Sequence, residues 1–117
     1  MQDLFISDSG TKFPLVMVHG FLGSSEMWEP QINFLKNYYR VIAPDLPGFG
    51  QSNRLKPLDS INLIAKSILN SIEKKNIDKF HLLGHSMGGM IAQEMTKLAR
   101  DKIKKLICYV TGPRGEM

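Results

Sequence analysis

The ten residues "HLLGHSMGGM", 81 to 90, set one serine, Ser86, between Gly84 and Gly88 directly after a short apolar run. Before it, "KFHLL" (79 to 83) has the length and apolarity of a buried strand. After it, "MGGMIAQEMTKLAR" (87 to 100) carries Met87, Ile91, Met95 and Leu98 at the spacing of one helical stripe. A side chain at such a junction must be turned sharply outward. The turn brings neighbouring backbone so close that the positions two before and two after the serine tolerate almost no side chain, and Gly84 and Gly88 meet that need. Strand, G-x-S-x-G, helix is the pattern of a nucleophile elbow. The competing reading is a serine that merely caps the helix.

Working outward, apolar runs and helical periods alternate. "LFIS" (4 to 7) reads as a strand, and "FPLVMV" (13 to 18) as a strand buried on both faces. The glycine-punctuated "HGFLGSS" (19 to 25) is a loop, in which Ser24 or Ser25 offers an N-cap to a helix over "EMWEPQINFLKN" (26 to 37). Glu26 suits the positive end of that helix, while Pro30 delays its regular part. "RVIAPD" (40 to 45) is the next strand and "LPGFGQSNRLKP" (46 to 57) the next loop. From Asp59 onward Ile61, Ile64, Ala65, Ile68 and Ile72 mark a helix ending near Lys74 and Lys75, and "KKLICYVTG" (104 to 112) is a final strand. Strands alternating with helices predict βαβ units: a three-layer αβα sandwich on a mostly parallel sheet, with an antiparallel "LFIS" edge and four parallel strands. No repeat or linker divides the chain.

Composition narrows the classes. The 117 residues are 43% hydrophobic and 22% charged, an ordinary composition for one small globular domain. The net charge of +4 comes largely from lysines spread along the second half, with no basic run interleaved with aromatics, so no nucleic-acid partner is expected. No segment approaches the roughly 18 apolar residues of a membrane span, and no membrane association is expected. The single cysteine, Cys108, requires no oxidising compartment, and a cytoplasmic protein is the expectation. The loop "GFGQSN" lacks, at Asn53, the third glycine of a dinucleotide fingerprint, and no P-loop occurs. Neither a cofactor nor a metal is expected.

The chemistry of a serine nucleophile sets two demands. Its hydroxyl needs a base, and the oxyanion formed on its target needs donors already in place. The backbone N–H of Met87, at the helix N-terminus, is one such donor. The loop "HGFLG" after "FPLVMV" is where a second would lie, with the N–H of Phe21 as the candidate.

With these residues in view, the chain resembles the N-terminal part of an α/β-hydrolase. "HGFLGSSEMW" matches that family's oxyanion loop, "DLPGFGQS" its loop after the following strand, and "LLGHSMGGMIA" its nucleophile elbow, in the family's order. The resemblance runs from about Leu4 to Gly112. It implies Ser86 as nucleophile, the amides of Phe21 and Met87 as oxyanion hole, His19 and Gly20 as loop-organising residues, and an ester-like or related small-molecule substrate, with esterase, lactonase, C–C hydrolase and cofactor-free haloperoxidase chemistry all open. His81 and His85 are expected to be structural, and Trp28 and Met27 to pack the first helix.

The resemblance also implies what residues 1 to 117 do not hold: the lid, the later strands and the late loops that carry the family's acid and histidine. No histidine follows His85, so the chain by itself is expected to be nearly inert. Glu116 is a weaker candidate for the acid. The alternative function is a non-catalytic fragment that folds or assembles with further polypeptide. The run "LICYV" (106 to 110) has no polar alternation, and at a sheet edge it would be a template for self-association.

Overall fold

The computed structural model describes residues 3–20, 23–58 and 60–109. Five strands form one sheet: β1 (Ile6–Asp8), β2 (Pro14–Val18), β3 (Arg40–Pro44), β4 (Phe80–His85) and β5 (Ile103–Tyr109), in the order β1-β3-β2-β4-β5. β1 runs antiparallel to β3, and the other neighbours are parallel, as the alternation of strands and helices predicts. The helices are α1 (Glu29–Leu35), α2 (Ile61–Lys74) and α3 (Met87–Leu98).

Local chemistry sets the helix ends. Ser60 caps α2 by accepting the Leu63 N–H at 3.2 Å, and Asn76, just past its C-terminus, takes the left-handed conformation at φ 61° that asparagine tolerates. The expected helix over 26 to 37 divides in two. Ser25–Trp28 forms a 3-10 turn, and α1 begins at Glu29 with Pro30 in its first turn, where a missing N–H costs nothing.

The alternation of side chains along the strands makes two cores. On one face Val16, Val18, Ile42 and Leu82 pack with Ile64, Ile68 and Ile72 of α2 and Ile91 and Met95 of α3. On the other Leu15, Met17, Val41 and Ala43 pack against Trp28 and the α1 side chains Ile32 and Leu35. Each fully buried aliphatic side chain contributes roughly 1.5–3 kcal/mol, so the layering is stabilised from both sides.

The parallel connections leave in opposite directions. From β2 the chain passes under α1 to β3, and from β4 it passes over α3 to β5 on the opposite face. β2 and β4 are adjacent, pairing Leu15 with His81 through Val18 with Gly84. The connections that leave their carboxyl ends therefore go to opposite faces, and ligands in open α/β sheets bind in the crevice at such a switch point.

At the opposite end Asp8 joins three elements. It takes Arg40 Nε and Nη2 at 3.0 and 2.8 Å and Lys75 Nζ at 2.9 Å, tying β1, β3 and the end of α2 together. The Arg40 guanidinium, with Lys75 adding, holds its carboxyl well below the usual carboxylate range. Among the described residues β5 is an edge strand, with Leu106, Ile107 and Tyr109 exposed. No helix of the described residues is long and apolar enough to cross a membrane.

Candidate active site

The site begins with the backbone of Ser86. At φ 61° and ψ −127° it stands in a region that costs a residue bearing a Cβ about 1–3 kcal/mol. The turn lifts Ser86 off the end of β4, and α3 starts at the next residue. Its side chain makes no capping bond to α3, which removes the reading of a serine kept for that purpose. Its backbone is held on both sides: Ser86 N–H donates to Tyr109 O at 3.1 Å, and Gly89 N–H donates to Ser86 O at 2.9 Å.

The flanking glycines are contacts of backbone on backbone. A methyl group on Gly84 would collide with the carbonyl of Gly88, and one on Gly88 would collide with the carbonyl of Val18 and come within 2.7 Å of the His19 carbonyl. The second contact draws the first turn of α3 against the end of β2. It also brings Gly20 beside Ser86: a methyl group there would stand 2.9 Å from Ser86 Cβ and 3.1 Å from its Oγ. The loop after β2 and the turn after β4 thus meet at one hydroxyl. Met87, as first residue of α3, has an N–H with no acceptor inside the helix, at the positive end of its dipole. Phe21, the second expected donor, lies outside the described residues, as does Glu116.

His19 organises the loop after β2 from within the core, fully buried. Its Nε2 is 3.0 Å from the Leu46 N–H, which can only donate, so Nε2 accepts and Nδ1 carries the proton given to Gly20 O at 2.7 Å. Both ring nitrogens are committed to backbone. Burial pushes the imidazole below its ordinary range against the pull of the Gly20 carbonyl and of Asp45, keeping the ring neutral. His81 sits near the start of β4 beside Phe13 and Tyr39, lowered by burial and by Lys105 and Lys104. His85 stacks on Tyr109 at 5.4 Å and meets Trp28 edge-on at 6.0 Å. Trp28 is buried in the α1 layer as expected, while Met27 is exposed and does not share that packing.

Asp45 was not singled out by the sequence reading, yet it links the loops around the site. Buried at the end of β3, it accepts the Ser25 N–H at 2.5 Å and the Gln51 N–H at 2.8 Å, holding the start of the first helical segment to the glycine loop after β3. Gly50 packs so tightly on this carboxylate that a Cβ would collide with it. The signal was present: an acid at the end of a buried strand, followed by glycines, has only backbone N–H groups to accept. Among the described residues no group of His, Cys, Asp and Glu could hold a metal ion.

Residues 14–114 match the family model for the alpha/beta hydrolase fold. The pimeloyl-[acyl-carrier protein] methyl ester esterase of Legionella pneumophila (strain Corby) is 34% identical over 113 residues, covering 97% of this chain and 44% of that protein. Among solved structures, a thermophilic esterase from Thermogutta terrifontis superposes with a TM-score of 0.84 at 34% identity, over 90% of this chain and 39% of its own. A marine microorganism esterase gives 0.82 at 31%, over 97% and 46%. The chain belongs to the α/β-hydrolase family. It spans less than half the length of these relatives.

The strain at Ser86 is measurable. Ser86→Gly is expected to raise the free energy of unfolding by about 1 kcal/mol over Ser86→Ala, the relief of the backbone exceeding the added entropy of an unfolded glycine. Urea midpoints of the two variants check it. A glycine variant no more stable than the alanine one would mean that the turn is relaxed.

Proposed function

We propose that this protein hydrolyses a small-molecule carboxylic ester, with Ser86 as nucleophile and the amides of Met87 and Phe21 as oxyanion hole. The observation that carries this reading is the strained turn at Ser86 against the Gly20 backbone, where a hydroxyl stands at a helix N-terminus. The hydroxyl attacks the ester carbonyl, its proton passes to a base, and the negative charge on the carbonyl oxygen falls to the two amides. Collapse of that tetrahedral intermediate breaks the ester C–O bond and expels the alcohol, which takes the proton from the base; water, deprotonated by the same base, then attacks the acyl-enzyme, releasing the carboxylic acid and returning the proton to Ser86.

The base is not one of the three histidines here. His19 has both nitrogens engaged, and His81 and His85 are packed among aromatic rings of the α1 layer. Base and acid are assigned to polypeptide beyond these 117 residues, which form the N-terminal part of one hydrolase domain under this reading. A fluorophosphonate probe is expected to label Ser86 of the natural protein, with Ser86→Ala abolishing both labelling and ester turnover. Turnover that survives the substitution refutes the assignment.

The exposed apolar β5 favours a second property for residues 1–117 alone: self-association through 106 to 110, or assembly with further polypeptide. Sedimentation at micromolar concentration is expected to show association that Cys108→Lys, placing a charge mid-strand, reduces. A compact wild-type monomer would contradict it.

A further inference from the structure

The end of α1 carries an aromatic pair that the fold leaves in water. Phe34 and Tyr38 are 63% and 61% exposed, with their ring centroids 5.5 Å apart. A series of contacts extends this patch toward β2. Asn37 Nδ2 donates to Phe34 O at 3.1 Å, and Lys12 Nζ donates to Asn37 O at 2.6 Å. Beside Lys12 stands Phe13, 39% exposed, its ring 4.7 Å from that of His81. The charges of Lys105 and Lys104 reach His81 in turn, adding to the effect of its burial. Residues far apart in sequence thus form one face of rings and lysines, on the α1 side at the amino end of the sheet. Ser86 stands at the carboxyl end, so this face is no part of its site.

The charge there is of one sign. The four segments that meet at this end, 9–14, 30–39, 79–86 and 102–109, hold six lysines and no Asp, Glu or Arg. Of the bordering acids, Asp8 is held by Arg40 and Lys75 on the α2 side, Asp78 by Lys102, and Glu29 stands at the far end of α1, leaving Asp101. Among the described residues none of Lys12, Lys36, Lys104 and Lys105 is in an ion pair. Lys36, just past α1, answers the negative end of that helix. Lys12, Lys104 and Lys105 lie on no helix, so the helix dipole accounts neither for them nor for the exposed rings.

The residue types choose the partner. Protein interfaces favour arginine over lysine, and single-stranded nucleic acid is held by a basic groove with ring faces free for stacking. Here there is lysine without arginine, and Phe34 and Tyr38 are turned toward each other at 46° on a helix end. A bilayer with anionic lipids presents diffuse charge that lysines meet without fixed geometry, and aromatic rings settle at its headgroup level. The expectation of no membrane association rests on the want of a span. Crossing a bilayer needs one, whereas resting against a bilayer needs only such a face. We infer that the amino end of the α1 layer docks on an anionic lipid surface, with Phe34, Tyr38 and Phe13 entering the headgroup region and Lys12, Lys36, Lys104 and Lys105 facing the lipid charges. Ser86 then looks away from the bilayer, toward water.

The test is co-sedimentation of the natural protein with vesicles of phosphatidylcholine, plain or carrying roughly a third phosphatidylserine. Binding is expected to the anionic vesicles and not to the neutral ones, and should weaken as salt is raised from about 0.1 to about 0.5 M. Lys12→Gln with Lys36→Gln should lower the partition coefficient about 25-fold, roughly fivefold for each lysine near the surface. Phe34→Ser with Tyr38→Ser should lower it about tenfold at either salt concentration. Lys66→Gln with Lys97→Gln removes the same net charge from α2 and α3, in the opposite layer, and should leave binding within about twofold. All six of these side chains are exposed, and unchanged urea midpoints report intact folds. No binding to anionic vesicles, equal binding to neutral ones, indifference to the aromatic change, or an equal loss in the α2 and α3 control overturns the inference. Tighter binding of a single-stranded oligonucleotide than of anionic vesicles also overturns it, and assigns the face to nucleic acid.

Discussion

Gly88 rests on the carbonyl of Val18, and no atom lies between them that could move aside. Through this contact the first turn of α3 is pulled onto the end of β2, although the two elements leave the sheet toward opposite faces. Gly84 against Gly88 repeats the constraint one turn back, and between these points Ser86 has no relaxed conformation to adopt. The strain is local, about 1–3 kcal/mol, and the two hydrophobic layers on either side of the sheet exceed it many times over. What the strain maintains is an outward hydroxyl at a helix N-terminus, beside the loop after β2.

That loop is fixed by a second set of interactions, all from side chain to backbone. His19 receives the Leu46 N–H and gives a proton to the Gly20 carbonyl, and Asp45 receives the Ser25 and Gln51 N–H groups. The His19–Leu46 and Asp45–Ser25 bonds each join the loop after β2 to the loop after β3, so removing either side chain would strand buried backbone groups at roughly 1–3 kcal/mol apiece. The neutral state of His19 belongs to the same design: a protonated ring could not accept from Leu46. Both ring nitrogens of His19 are thereby engaged by backbone groups.

Much of this was legible in the sequence. The mostly parallel sheet follows from alternating apolar runs and helical stripes, though not the order of its strands, and the tight turn at Ser86 from two glycines around a serine, because a backbone collision permits only one residue type. Pro30 announced the late start of α1, which the 3-10 turn at Ser25–Trp28 bears out. Other features were hidden. Asp45 resembles any loop acid until the buried amides it serves are located in space. The boundaries of β1 were displaced: Leu4 is buried but unpaired as a strand residue, and pairing begins at Ile6, where the antiparallel register with Pro44 starts. A small apolar cavity next to Met87 draws on segments around Leu46, Leu58 and Met87 that no sequence period connects.

The central claim is that backbone contact at Gly88 forms the site, and the unfolding free energy of Gly88→Ala measures it most directly. A methyl group facing the Val18 carbonyl has no space to enter and no flexible neighbour to displace. The account predicts a loss of more than about 3 kcal/mol, seen as a large fall in urea midpoint. A variant within about 1 kcal/mol of the wild type would show that the end of β2 and the start of α3 are not in contact, and would contradict the account.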